Sequence, residues 1–161
     1  MPATPRDLLK PRPQRLAEVM TSMQEQTGQS NDQQIVYGCT LGINGTHNYN
    51  FDVLAGEVCI GQELKSIAAA LANTVPAGAE LLAGQKCYVL VEVNAAGEVF
   101  KTVSAITGGA TPVLPALTAN RIAIAYLSLS GVFTPGTTAL TEAMLKPVLY
   151  SAGNISPTTG F

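Results

Sequence analysis

Few side chains in this sequence could carry covalent or acid–base chemistry, and their spacing argues against it. His47 is the single histidine. It follows Asn44-Gly45, a strong hairpin-turn signal, so it is expected to point into solvent. Nucleophilic catalysis needs a base held beside Ser, Thr or Cys, and no Gly-Xaa-Ser-Xaa-Gly elbow accompanies His47. Paired carboxylates could hydrolyse a glycosidic bond. The candidates after Ile35 are Asp52, Glu57, Glu63, Glu80, Glu92, Glu98 and Glu142. Most fall at expected turns or strand ends, where a solvated edge charge is the simpler reading. The chain has no tryptophan to offer a sugar ring as a platform. Thr107-Gly108-Gly109-Ala110 is not a phosphate loop, because no Lys-Ser/Thr follows and no helix is expected there. Asn44-Gly45-Thr46 fits the N-glycosylation acceptor pattern, but the turn accounts for it. Neither an enzyme nor a bound cofactor is expected.

The three cysteines, Cys39, Cys59 and Cys87, each lie within an apolar, strand-like run. Their odd number and placement predict buried free thiols rather than a disulfide framework, as in a protein assembled in a reducing cytoplasm. They lack the CxxC or clustered-His spacing of a metal site. Hydrophobic residues make up 47% of the chain and charged residues 12%, about half the usual charged share. Such a composition is too apolar for disorder. No run is long enough to span a bilayer, and no apolar segment near the N-terminus reads as a signal peptide. The scarcity of charge predicts that a partner chain covers part of the apolar surface. A net charge of −2 favours neither nucleic acid nor membrane as that partner.

The element that must position everything else is Lys86–Ser104, which reads as a β-hairpin turning at Asn94-Ala95-Ala96-Gly97. From Ile35 onward the chain reads as further short strands packed on it: Ile35–Ile43, Tyr49–Leu54 and Glu57–Ile60. Gln62–Asn73 fits both helical and alternating spacing and is assigned to strand because its surroundings are strand-like. Pro76-Ala77-Gly78 is a turn, and Thr107–Leu117 a loop crossing between sheets or over an edge. Arg121–Ser130 has the near-continuous apolar character of a central strand buried on both faces. Leu140–Tyr150 could close the sheet, with Pro147 restricting it to an edge or breaking it. The tail, Ser151–Phe161, is expected to run over the surface. The resulting expectation is all-β: a β-sandwich or small barrel-like domain of short antiparallel strands over 35–161.

Residues 1–34 read differently. Pro2, Pro5, Pro11 and Pro13 fix φ and remove donors, so residues 1–13 are expected to be extended. Arg6, Lys10, Arg12 and Arg15 stand against Asp7 alone, making this arm basic in an otherwise acidic chain. Leu8 and Leu9 form an apolar pair among these charges, suited to a docking arm that orders on binding. Residues 14–27 follow as a short amphipathic helix. Leu16, Val19, Met20 and Met23 form its stripe, which could pack on the β domain or on equivalent helices of other subunits.

Part of this pattern resembles small virion proteins of tailed bacteriophages. The resembling features are Asn94-Ala95-Ala96-Gly97-Glu98-Val99, then Pro112-Val113-Leu114-Pro115-Ala116, then Arg121–Leu127, and finally Phe133-Thr134-Pro135-Gly136-Thr137-Thr138-Ala139-Leu140. They cover about a third of the chain. The resemblance implies a structural protein of the particle, most like a capsid decoration or cement protein. Such a protein is assembled in the host cytoplasm and sits on the outer surface of the phage head, bound to the major capsid protein. It also implies a homotrimer, with contacts from the helix stripe or from an apolar face of the sandwich. Arg6, Leu8, Leu9, Lys10, Arg12 and Arg15 would form the capsid-binding arm. A tail, baseplate or fibre-associated module for host glycan recognition is the alternative expectation.

Overall fold

A computed structural model describes residues 33–151 and 154–157. The basic arm and the expected helix over 14–27 lie outside the described residues. The described chain is all-β, as expected. Its twelve strands are β1 (Gln33–Gly38), β2 (Leu41–Ile43), β3 (Asn50–Val53), β4 (Gly56–Ile60), β5 (Glu63–Ile67), β6 (Ala70–Thr74), β7 (Gln85–Asn94), β8 (Val99–Val103), β9 (Thr107–Gly108), β10 (Arg121–Ser130), β11 (Leu145–Ser151) and β12 (Asn154–Pro157). Every pairing is antiparallel. The main sheet runs β12-β11-β10-β7-β8, with β9 also on β7. Two three-stranded sheets, β1-β4-β5 and β2-β3-β6, accompany it.

The expected organising hairpin is β7–β8. Its turn closes where the sequence places it. The Asn94 side-chain oxygen accepts the N–H groups of Ala96 and Glu98, each at 3.0 Å, and Gly97 takes φ +81°. β10 is the expected central strand, flanked by β7 and β11. One extra residue in β10, between Ala123 and Ala125, changes the phase of its alternation. Ile122 before the shift, Ile124 at it, and Leu127 and Leu129 after it therefore all reach the same core. That core also holds Cys87, Val89, Val91 and Val93 of β7, Phe51 and Val53 of β3, and Val58 of β4. Thus the small sheets cover one face of the main sheet. On the other face Tyr88, Leu90, Ala123, Tyr126 and Val148 form a second cluster, covered by Leu114 and Leu117 of the crossing segment 109–120. All three cysteines are free and buried, as expected.

Five expectations need correction or refinement. The run Ile35–Ile43 is not one strand. Gly38 (φ +66°) and Cys39 (φ +52°) break it, so β1 pairs with β4 while β2 pairs with β3 in another sheet. Gln62–Asn73 is strand, but it too divides between sheets, as β5 on β4 and β6 on β3. The hairpin at Asn44-Gly45 exists with a longer loop, closed by the Asn44 N–H on the Asn50 carbonyl at 3.1 Å. Pro147 does not confine β11 to an edge. Residues 145–147 pair with β10, and residues 148–151 pair with β12. Proline sits at the handover, where its missing N–H costs least. The tail accordingly contributes a strand, β12, where a surface segment was expected.

Candidate interaction surface

Leu81 and Phe133 form an isolated antiparallel bridge, each N–H donating to the other's carbonyl at 2.9 and 3.1 Å. Both side chains are buried in the main core. Strand geometry sends their neighbours the opposite way. Leu82 and Val132 are therefore 72% and 69% exposed, and the register sets them side by side. The bridge is held rigidly. The Gln85 side-chain oxygen accepts the Leu82 N–H at 2.7 Å, and the Gln85 carbonyl accepts the Gly131 N–H at 3.0 Å. Gly84 (φ +79°) and Gly131 (φ +75°) supply the left-handed turns. The result is an apolar ridge on a stiff mount.

A second exposed apolar group is carried by the crossing segment. Its Pro112 is buried, whereas the adjacent Val113 is 82% exposed. The segment is latched at its far end by Glu92, which is wholly buried on the outer face of β7. One carboxylate oxygen accepts the Thr118 N–H at 2.9 Å, and the other accepts the Thr118 hydroxyl at 3.1 Å. The Arg121 guanidinium lies 3.9 Å from that second oxygen and 3.4 Å from the centroid of the Phe100 ring. Register explains the stack: Glu92 pairs with Phe100, and Arg121 with Asn94 two residues further along β7. A buried carboxylate is tolerated when charge-assisted donors meet it in this way.

This placement corrects the reading of Glu92 as a solvated strand-end charge. The sequence did carry a signal. Glu92 interrupts the run Tyr88–Val93 inside a strand that must lie near the centre of the sheet. The Leu82–Val132 ridge left no such mark, because it depends on a bridge between residues far apart in the chain. His47 is exposed, with its ring 5.3 Å from that of Tyr49. Among the described residues no group of three metal-ligating side chains comes together. The expected site residues Arg6, Leu8, Leu9, Lys10, Arg12, Arg15, Leu16, Val19, Met20 and Met23 all lie outside the described residues. The Leu82–Val132 ridge offers a partner apolar contact.

No family model, curated protein or solved structure matches the chain.

Proposed function

We propose that this chain is a structural protein of a tailed-bacteriophage virion, a decoration protein that binds the outer capsid and cements neighbouring subunits. The observation that carries the reading is the Leu82–Val132 ridge: two large apolar side chains held out into water by a rigid bridge. Exposed apolar groups set side by side mark surfaces that another protein covers, and Leu71 and Val113 add further exposed apolar area elsewhere on the body. A protein seated between capsomers buries such a ridge. The resemblance to phage virion proteins supplies the kind of partner, and the basic, proline-rich arm supplies the reach. Proline lowers the entropy cost of ordering that arm, because it restricts the free chain. Arg6, Arg12 and Arg15 would then meet acidic capsid residues.

The test uses purified phage heads lacking the protein. The full chain should occupy them at saturable sites. Leu8→Asp combined with Leu9→Asp should weaken occupancy about tenfold or more, equivalent to ~1.4 kcal/mol, without changing the melting temperature. Unchanged occupancy would remove the arm from the model. Absence of head binding, together with binding to host-surface glycans, would move the protein to the tail.

A further inference from the structure

We propose that Asn44 deamidates spontaneously in the folded chain, and that its conversion to a carboxylate opens a clasp between the 44–49 loop and β6. This proposal does not depend on the capsid reading. Asn44 is the one asparagine in the sequence that a glycine follows. Such a pair favours attack of the glycine's backbone nitrogen on the asparagine's amide carbon, because no Cβ obstructs the approach. A Cβ at Gly45 would meet nothing within 4 Å, and the residue is exposed, so solvent base reaches its N–H. Among the described residues nothing accepts that N–H.

The Asn44 amide is held ready for that attack. Its Oδ1 accepts the N–H groups of Thr46 at 3.1 Å and His47 at 2.9 Å. Negative charge develops on this oxygen as the tetrahedral intermediate forms, and backbone donors at such distances stabilise an oxyanion. Its Nδ2 donates to Asp52 Oδ1 at 2.8 Å, which fixes the rotation of the amide. The Gly45 nitrogen gives its proton to solvent base and bonds to Asn44 Cγ. The Cγ–Nδ2 bond then breaks, and the nitrogen leaves as ammonia after taking a proton from water. Water opens the resulting succinimide at either carbonyl, leaving aspartate or isoaspartate. The sum is amide plus water to carboxylic acid plus ammonia, with no change of oxidation state. Asn94 is an internal comparison. Its Oδ1 also accepts two backbone N–H groups and its Nδ2 donates to Glu98 Oε2 at 2.6 Å, but Ala95 follows it, so its nucleophile is hindered by a Cβ.

Conversion turns the contact with Asp52 from attraction to repulsion. Asp52 Oδ1 also accepts the Ala72 N–H at 2.8 Å. One carboxylate thus ties the 44–49 loop to the left-handed residue of β6, Ala72 at φ +55°. A carboxylate at position 44 has no proton to donate and sets a second negative charge against the first. Isoaspartate also adds a carbon to the main chain of a tightly closed loop. That loop is held by the Asn44 N–H on the Asn50 carbonyl at 3.1 Å and the Asn50 N–H on the His47 carbonyl at 2.9 Å. Repulsion separates the loop from Asp52, and Ala72, strained at positive φ, loses a fixed acceptor.

Peptide mapping by mass spectrometry tests the reaction, on the folded full chain aged in mildly alkaline buffer. Position 44 should convert several-fold faster than Asn94, giving both aspartate and isoaspartate. Gly45→Ala should slow the conversion about tenfold or more. That substitution fits the fold, because Gly45 has open space and no positive φ. Equal rates at the two asparagines, or conversion only in chain unfolded by urea, would overturn the proposal. Amide exchange tests the clasp. Asn44→Asp should raise exchange across residues 44–49 and 70–74 while the β7–β10 ladder stays protected. Adding Asp52→Asn restores a donor opposite an acceptor and should return exchange to the native level. Native exchange in Asn44→Asp, or no recovery in the double variant, would show that Asp52 holds no clasp.

Discussion

Two side chains on the outer face of the main sheet show how differently buried polar groups can act. Glu92 is buried and fully engaged, whereas the buried hydroxyl of Tyr126 has no hydrogen-bond partner among the described residues. Tyr126 instead contributes its ring, which packs edge-on against Tyr88 with centroids 5.0 Å apart. Removing only the hydroxyl should therefore be harmless. Tyr126→Phe is expected to leave stability within ~1 kcal/mol of the native chain, in the stabilising direction, by urea denaturation. Tyr126→Asp would bury an unpaired charge and should abolish soluble expression. The thiols make a prediction about pH. Burial pushes Cys87 up to about 11 from 9.0 and raises Cys39 in the same direction. Above pH 9 the unfolded chain loses these protons while the folded chain keeps them, so deprotonation favours unfolding. The contribution is full below pH 9 and is lost as pH rises through about 11. The melting temperature should fall across that window, and a Cys87→Ala variant should show a shallower fall.

At the scale of elements, the chain depends on two devices, one that moves it between sheets and one that holds a crossing segment against a sheet face. The first is the crossing of β1 into β2. A Cβ at Gly56 would collide with the Tyr37 carbonyl, the Cys39 N–H nitrogen and the Cys39 Sγ. Backbone cannot yield as a flexible side-chain end can. Gly56→Ala should cost at least ~2 kcal/mol in denaturant unfolding, whereas Gly61→Ala, with open space around it but φ +60°, should cost about 1. Equal losses would show that the close approach is not what matters. The second device is the Glu92 latch on the crossing segment. Glu92→Ala leaves the Thr118 N–H without its acceptor and Arg121 without its carboxylate, so a loss of ~2–4 kcal/mol is expected. Amide exchange should rise across residues 109–120 while the β7–β10 ladder stays protected. Uniform exchange throughout would mean that the segment has no separate latch.

At the scale of the molecule, the proposed function implies self-association, because a decoration protein of this kind caps a three-fold site. Size-exclusion chromatography with light scattering should give a mass near three chains. A single-chain mass would leave the Leu82–Val132 ridge for the capsid alone. The all-β class, the central position of Arg121–Ser130 and the Asn94–Gly97 turn were all legible in the sequence. Each rests on local physics: alternation along one strand, burial of an apolar run, or a glycine at a left-handed position. What the sequence did not disclose is which strands share a sheet. Ile35–Ile43 and Gln62–Asn73 read as continuous elements, yet each serves two sheets, because pairing partners are distant in the chain. The same holds for Glu92, whose environment is built by Thr118, Arg121 and Phe100 from three other segments. Sequence determined where the backbone is extended and where it turns, since those choices depend on near neighbours. Only tertiary structure decided which polar group is buried and which apolar pair is exposed, since those depend on what the far chain brings beside them.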